Sequence, residues 1–93
     1  MNNLEKNRQI IDDIDRKIIS LFKERMNAAK EIALYKKEHN LPVLNKEREV
    51  LLINKNIEVL NNEELKDYYL KFFNQLLEVS KDYQCNIINK ESK

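Results

Sequence analysis

Arg8, Arg16, Arg25 and Arg48 are the four arginines among the 17 basic residues of this 93-residue chain. Arg25 and Lys36 fall where helical periodicity wants apolar side chains, on the same arc as Ile18 and Ile32. Arg8 lies toward that arc's edge, about a turn before Ile11. A cation buried without a partner is costly, so each requires an anion or a route to water. Where lysine supplies most of the surface charge, an arginine on a core-facing stripe points to use of its rigid bidentate fork, as in gripping a carboxylate. Glu49 and Ser80 also sit beside apolar stripes, and Gln84 follows Ser80 by one turn. The set combines cations, a hydroxyl, an amide and one carboxylate, with no evident nucleophile. It suits the binding of a small polyanion and chemistry by positioning and charge stabilisation. The competing structural reading pairs these cations with Glu49, Asp12 or Asp15, or lets them snorkel to solvent.

Other chemistries are poorly supplied. His39 is the single histidine, in a segment expected to be a solvated loop, and Cys85 is the single cysteine. Cys85 therefore has no internal disulfide partner and reads as a small buried or half-exposed hydrophobe. No His or Cys pair has metal-ligand spacing, so neither a metal nor a cofactor is expected. The chain has no glycine, which argues against phosphate-cradling loops and nucleophile elbows. Tyr68, Tyr69, Phe72 and Phe73 read as helix-packing core, not as a platform for bases. A formal net charge of +1 offers no electrostatic footprint for nucleic acid or an anionic membrane. The N-terminal stretch MNNLEKNRQI lacks a signal peptide's apolar core, and no run approaches the ~18 apolar residues of a membrane span. A cytoplasmic protein is expected.

Holding such a site falls to helices, and the expected class is all-α with three of them. The first runs from about Leu4 to about Glu38, with Ile11, Ile14, Ile18, Phe22, Ala29 and Ile32 on one arc and charged residues opposite. At about 1.5 Å per residue it would be about 50 Å long, more than a globule of this size can cover. A chain this short buries only about 60% of its unfolded surface, so a second copy is the expected cover for the stripe. His39 to Leu44 breaks the pattern around Pro42. Asn45 is the expected N-cap of a second helix, from about Lys46 to Leu60. Asn61, with Glu64 three residues on, is expected to cap a third. Its stripe is Leu65, Tyr69, Phe72, Phe73, Leu76 and Tyr83, ending near Cys85, with residues 86–93 a frayed tail. Residues 1–93 are expected to form one domain.

Read in order, these residues resemble a family. IDDIDRKIISLFKERMNAAKEIALYKK, then LPVLNKEREVLL, then KFFNQLLEVSKDYQ resemble the all-helical chorismate mutases along nearly the whole chain. The first-helix pattern appears as Arg8, Ile14-Asp15, Glu24-Arg25, Ala29 and Lys36. The second-helix signature appears as Pro42-Val43, Asn45 and Glu47-Arg48-Glu49, and the third helix ends in Ser80 and Gln84. The resemblance implies a three-helix protomer with a long first helix, in an intertwined helical homodimer, and conversion of chorismate to prephenate. It implies two equivalent sites, each borrowing Arg8 from the partner. Arg25 and that Arg8 would clamp the substrate carboxylates, with Ser80 assisting. Lys36 and Gln84 would bond the ether oxygen, Glu49 would hold the ring hydroxyl, and Arg48 would support the electrostatics. Asn45 stands where many relatives carry Asp; it still caps the helix, so a small effect on affinity is expected. The sequence ends after this module, so no fused dehydratase or dehydrogenase domain is expected in this chain.

Two alternatives stay open. Isochorismate-pyruvate lyases resemble the same fold, but tend to lack the Glu after the second-helix Arg and the third-helix Ser, so Glu49 and Ser80 favour the mutase. A non-catalytic helical dimerisation module would use Arg25 and Lys36 only to neutralise internal carboxylates.

Overall fold

The computed structural model describes residues 2–91. It contains α1 (Asn3–Glu38), α2 (Lys46–Leu60) and α3 (Lys66–Glu91), with no strand among the described residues. The all-α expectation holds.

Each boundary has a local cause. Asn2 accepts the Glu5 N–H at 2.8 Å and opens α1, with the Glu5 carboxylate near the positive end of the helix. At the other end, the Leu41 N–H returns to the Lys36 carbonyl at 2.8 Å and the Asn40 N–H to the Lys37 carbonyl at 3.3 Å. That pair of bonds is a Schellman cap, which requires a left-handed residue. With no glycine in the chain, Asn40 takes that position at φ 55°; asparagine tolerates it because its short polar side chain bonds locally. Asn45 opens α2 as expected, accepting the Arg48 N–H at 3.1 Å.

The junction to α3 differs from expectation. Asn61 does not cap α3; it closes α2 in left-handed conformation at φ 44°, and its N–H returns to the Ile57 carbonyl. Asn62 accepts the Leu65 N–H at 3.0 Å instead, and α3 begins at Lys66. Of two adjacent asparagines, one ends a helix and the next starts the turn into another. Nor does α3 stop near Cys85: it runs to Glu91. The reason is Ile87, 8% exposed, which extends the buried seam Phe73, Leu77 and Ser80 beyond Gln84. Leu77 belongs to that seam, whereas Phe72 and Leu65, expected inside, remain exposed on this chain. Cys85 is also exposed, since one step past Gln84 turns it about 100° off the seam. Residues 92–93 lie outside the described residues.

The seam packs on the C-terminal half of α1, where Ala29 and Ala33 are buried and their small side chains admit close approach. α2 runs antiparallel to α3, tied by Glu49 to Lys81 at one end and Asn56 to Tyr69 at the other. Both α1 and α2 contact α3 but not each other, which leaves a cleft walled by all three helices. The shape is elongated, 55 × 27 × 15 Å, with a radius of gyration of 16.8 Å; a compact chain of this length has about 12 Å. Its surface is 7879 Å², against about 5,700 Å² for a globular monomer of this mass. Part of that surface is apolar and lies on α1, where Ile10, Ile11, Ile14, Ile18, Leu21 and Phe22 are exposed. No helix among the described residues is long and apolar enough to cross a membrane.

Candidate active site

The cleft holds a cavity of about 320 Å³, within the range of small-molecule sites. α1 contributes Arg25 and Lys36, with Ala28, Ala29 and Ile32 as an apolar wall between them. The loop and the start of α2 contribute Val43, Asn45, Arg48, Glu49 and Leu52. α3 contributes Leu77, Ser80, Lys81 and Gln84. Helical spacing explains the grouping. Arg25 and Lys36 lie three turns apart on one face of α1, and Ser80 and Gln84 one turn apart on the α3 seam.

Hydrogen bonds hold several of these groups in place. Arg25 Nη1 donates to Ser80 Oγ, and Ser80 is buried at 6% exposure. Lys36 Nζ donates to the Val43 carbonyl at 2.8 Å, which brings the ammonium over the turn between α1 and α2. Two of its three N–H donors remain. Asn45 spends its side-chain oxygen on the Arg48 N–H, so its contribution at the cavity wall is as a cap. Lys81 Nζ bridges Glu49 Oε2 at 3.3 Å and Glu78 Oε1 at 3.1 Å. Hydrogen bonding to Glu78 is the chief cause that raises the Lys81 ammonium above its ordinary 10.5; Glu49 adds to it, and desolvation opposes both. Gln84 Oε1 is buried and has no hydrogen-bond partner among the described residues. An orphaned acceptor in a half-buried pocket costs roughly 1–3 kcal/mol, and a ligand donor can satisfy it. The amide can equally present Nε2 there, because its two ends have nearly the same shape.

Four cations, Arg25, Lys36, Arg48 and Lys81, face one carboxylate, Glu49, around this cavity. The lining therefore carries an excess of positive charge and suits an anion. Among the described residues no group of three or more His, Cys, Asp or Glu is placed to hold a metal ion. His39 stands apart from the cavity: it ends α1, exposed, stacked on Tyr35 with ring centroids 4.0 Å apart.

The model of the family chorismate mutase type II matches residues 7–85. The chain belongs to that family. Neither a curated protein nor a solved structure matches it.

All the residues singled out above as carrying chorismate mutase chemistry lie within the matched segment. Arg25, Lys36, Asn45, Arg48, Glu49, Ser80 and Gln84 line the one cavity. Arg8 does not. It sits 17 residues before Arg25 on the same helix, about 26 Å along the axis, beyond the reach of its own chain's cavity. Sequence reasoning missed Lys81 and Leu77. Lys81 follows Leu77 by one turn and precedes Gln84 by three residues. It lies about 140° around α3 from the stripe expected there, so periodicity gave no signal for it; the cross-helix contact with Glu49 reveals it.

Proposed function

We propose that this chain is a single-domain, cytoplasmic enzyme that isomerises chorismate to prephenate, working as an intertwined homodimer without metal or cofactor. The observation that carries the reading is one cavity in which four cations surround one carboxylate and the Gln84 amide, whose Oε1 has no partner among the described residues and whose Nε2 can take its place. Chorismate is a dianion with an ether oxygen and a ring hydroxyl, and each kind of group has a counterpart there.

The rearrangement is unimolecular: the ether C–O bond breaks as a C–C bond forms, through a six-membered cyclic transition state. It requires no acid, base or nucleophile. The protein's contribution is to hold a flexible dianion in its compact conformer and to meet negative charge as it grows on the departing oxygen. Arg25, held by Ser80, grips one carboxylate, and the partner's Arg8 grips the other. Lys36 donates to the ether oxygen, and Gln84 does so through Nε2 with its amide turned from the resting orientation. Glu49 accepts from the ring hydroxyl, while Arg48 adds positive potential.

Surface and reach support the dimer. The excess of about 2,200 Å² over a globular monomer exceeds the ~800 Å² per partner of an ordinary stable interface. The exposed isoleucines of α1 form an apolar stripe on the helix that also carries Arg8. Pairing two such helices covers the stripe and brings an arginine that cannot reach its own cavity toward the other. Glu49 and Ser80 at the cavity favour the mutase over the lyase of similar fold.

The test is loss of chorismate absorbance with purified protein and chromatographic resolution of products. Prephenate formed at an enzymatic rate without added metal supports the reading. Absence of turnover from a folded protein overturns it and directs attention to isochorismate.

A further inference from the structure

Lys81 lies at the cavity wall, and the roles assigned above to the other lining residues leave it without one. Its ammonium sits between two carboxylates, 3.3 Å from Glu49 Oε2 on α2 and 3.1 Å from Glu78 Oε1 on α3. The arrangement is graded in exposure: the Glu49 and Lys81 side chains are 21% and 26% exposed, and Glu78 is 59% exposed. Glu78 is therefore the outer anchor and Glu49 the inner group. Lys81 contacts Oε2 of Glu49, which leaves Oε1 as the oxygen to face another donor.

Two physical consequences follow. A carboxylate lining a site for a dianion repels it, and the repulsion is felt strongly in a half-buried cleft of reduced dielectric. A cation in contact with that carboxylate cancels most of it. A carboxylate on a free Glu side chain also samples several rotamers; one fixed through Oε2 presents its other oxygen in a single direction.

We propose that Lys81 is a positioning residue for the substrate-binding carboxylate: by holding Glu49 Oε2 from α3, it fixes Oε1 as the acceptor for the ring hydroxyl and neutralises Glu49 toward a dianionic substrate. This deepens the mutase reading and rests on it. The contribution concerns binding in the ground state and the transition state alike, so it belongs in KM more than in kcat. It also makes the site selective for a ring that carries a hydroxyl.

The experiment compares steady-state chorismate kinetics of wild type, Lys81→Met, Lys81→Arg, Glu49→Gln and the double variant Lys81→Met/Glu49→Gln, with thermal melts of each. Lys81→Met is expected to raise KM about tenfold, the size of one lost charge-assisted contact, with kcat within about threefold. Lys81→Arg restores most of the loss. In the Glu49→Gln background Lys81→Met changes KM by less than about twofold, because no carboxylate is left to hold. Lys71→Met, an exposed α3 lysine away from the cavity, serves as the control for loss of charge. If Lys81→Met fails to fold, Lys81→Gln carries the same comparison. A melt lowered with KM unchanged, or the same KM loss in both backgrounds, shows a mere staple between α2 and α3 and overturns the proposal. Absence of turnover by the wild type overturns the mutase reading itself, and the role of Lys81 falls with it. Wild-type turnover with indifferent Lys81 variants overturns the positioning role alone.

Discussion

Replacing Lys36 by Met removes the one ammonium that α1 sends toward the turn before α2, and its cost can be worked out. In the resting site Lys36 Nζ lies 2.8 Å from the Val43 carbonyl, so a substrate ether oxygen is contacted at a similar range, about 3 Å. Two unit charges at that distance interact by about 5.5 kcal/mol at an effective dielectric of about 20. Taking about half a unit charge on the departing oxygen gives about 3 kcal/mol, or about 100-fold in rate. The loss appears in kcat, because the contact strengthens as the bond breaks. Stability changes little: Val43 is half-buried, water can replace the lost donor, and about 1 kcal/mol covers the exchange. The assay is the initial rate of chorismate loss at saturating substrate, with a melt run in parallel. Lys36→Gln, which keeps a donor without the charge, is expected between wild type and Met. A folded Lys36→Met protein with kcat within about threefold of wild type refutes the electrostatic role.

Arg25→Ala is expected to abolish measurable turnover, since two charge-assisted bonds to a carboxylate are lost at about 1.5–3 kcal/mol each. Its melt should fall only modestly, by the ~1 kcal/mol tied up with the hydroxyl of buried Ser80; near-normal kinetics would remove Arg25 from the site. Arg8→Ala and Lys36→Ala protomers, each inactive, should recover about a quarter of wild-type activity after 1:1 subunit exchange, because random pairing leaves one intact site in half of the dimers. No recovery after exchange verified by mass would mean sites built within one chain. The Lys81 ammonium, raised above 10.5 chiefly by Glu78, stabilises the fold fully below that value and loses its contribution as pH climbs through the raised one. The melting difference between wild type and Lys81→Met should accordingly be constant near neutrality and shrink above pH 10.5; a gap that widens there contradicts the ion-pair geometry.

Local order was legible without coordinates. α1 and α2 lie where periodicity, Pro42 and the Asn45 cap put them, because a helix face and a capped first turn are decided within a few residues of sequence. The residues that break apolar stripes were legible for the same reason, and a cation out of place announces itself in a one-dimensional pattern. That Arg25, Lys36, Glu49, Ser80 and Gln84 line one cavity is different in kind, since it depends on how α3 is rotated about its own axis. This rotation, set by Phe73, Leu77 and Ile87 against Ala29 and Ala33, made Leu77 a wall of the cavity and carried α3 past Cys85. It also aimed Lys81 at Glu49 and left Phe72 outside. The adjacent asparagines show the same division. Either could cap a helix, and which of them takes the left-handed position is settled by where α2 must stop for α3 to turn back along it. Capping and periodicity are short-range and appear in the sequence; rotation, stopping points and cross-helix ion pairs arise from packing between distant segments, and only the tertiary structure decides them.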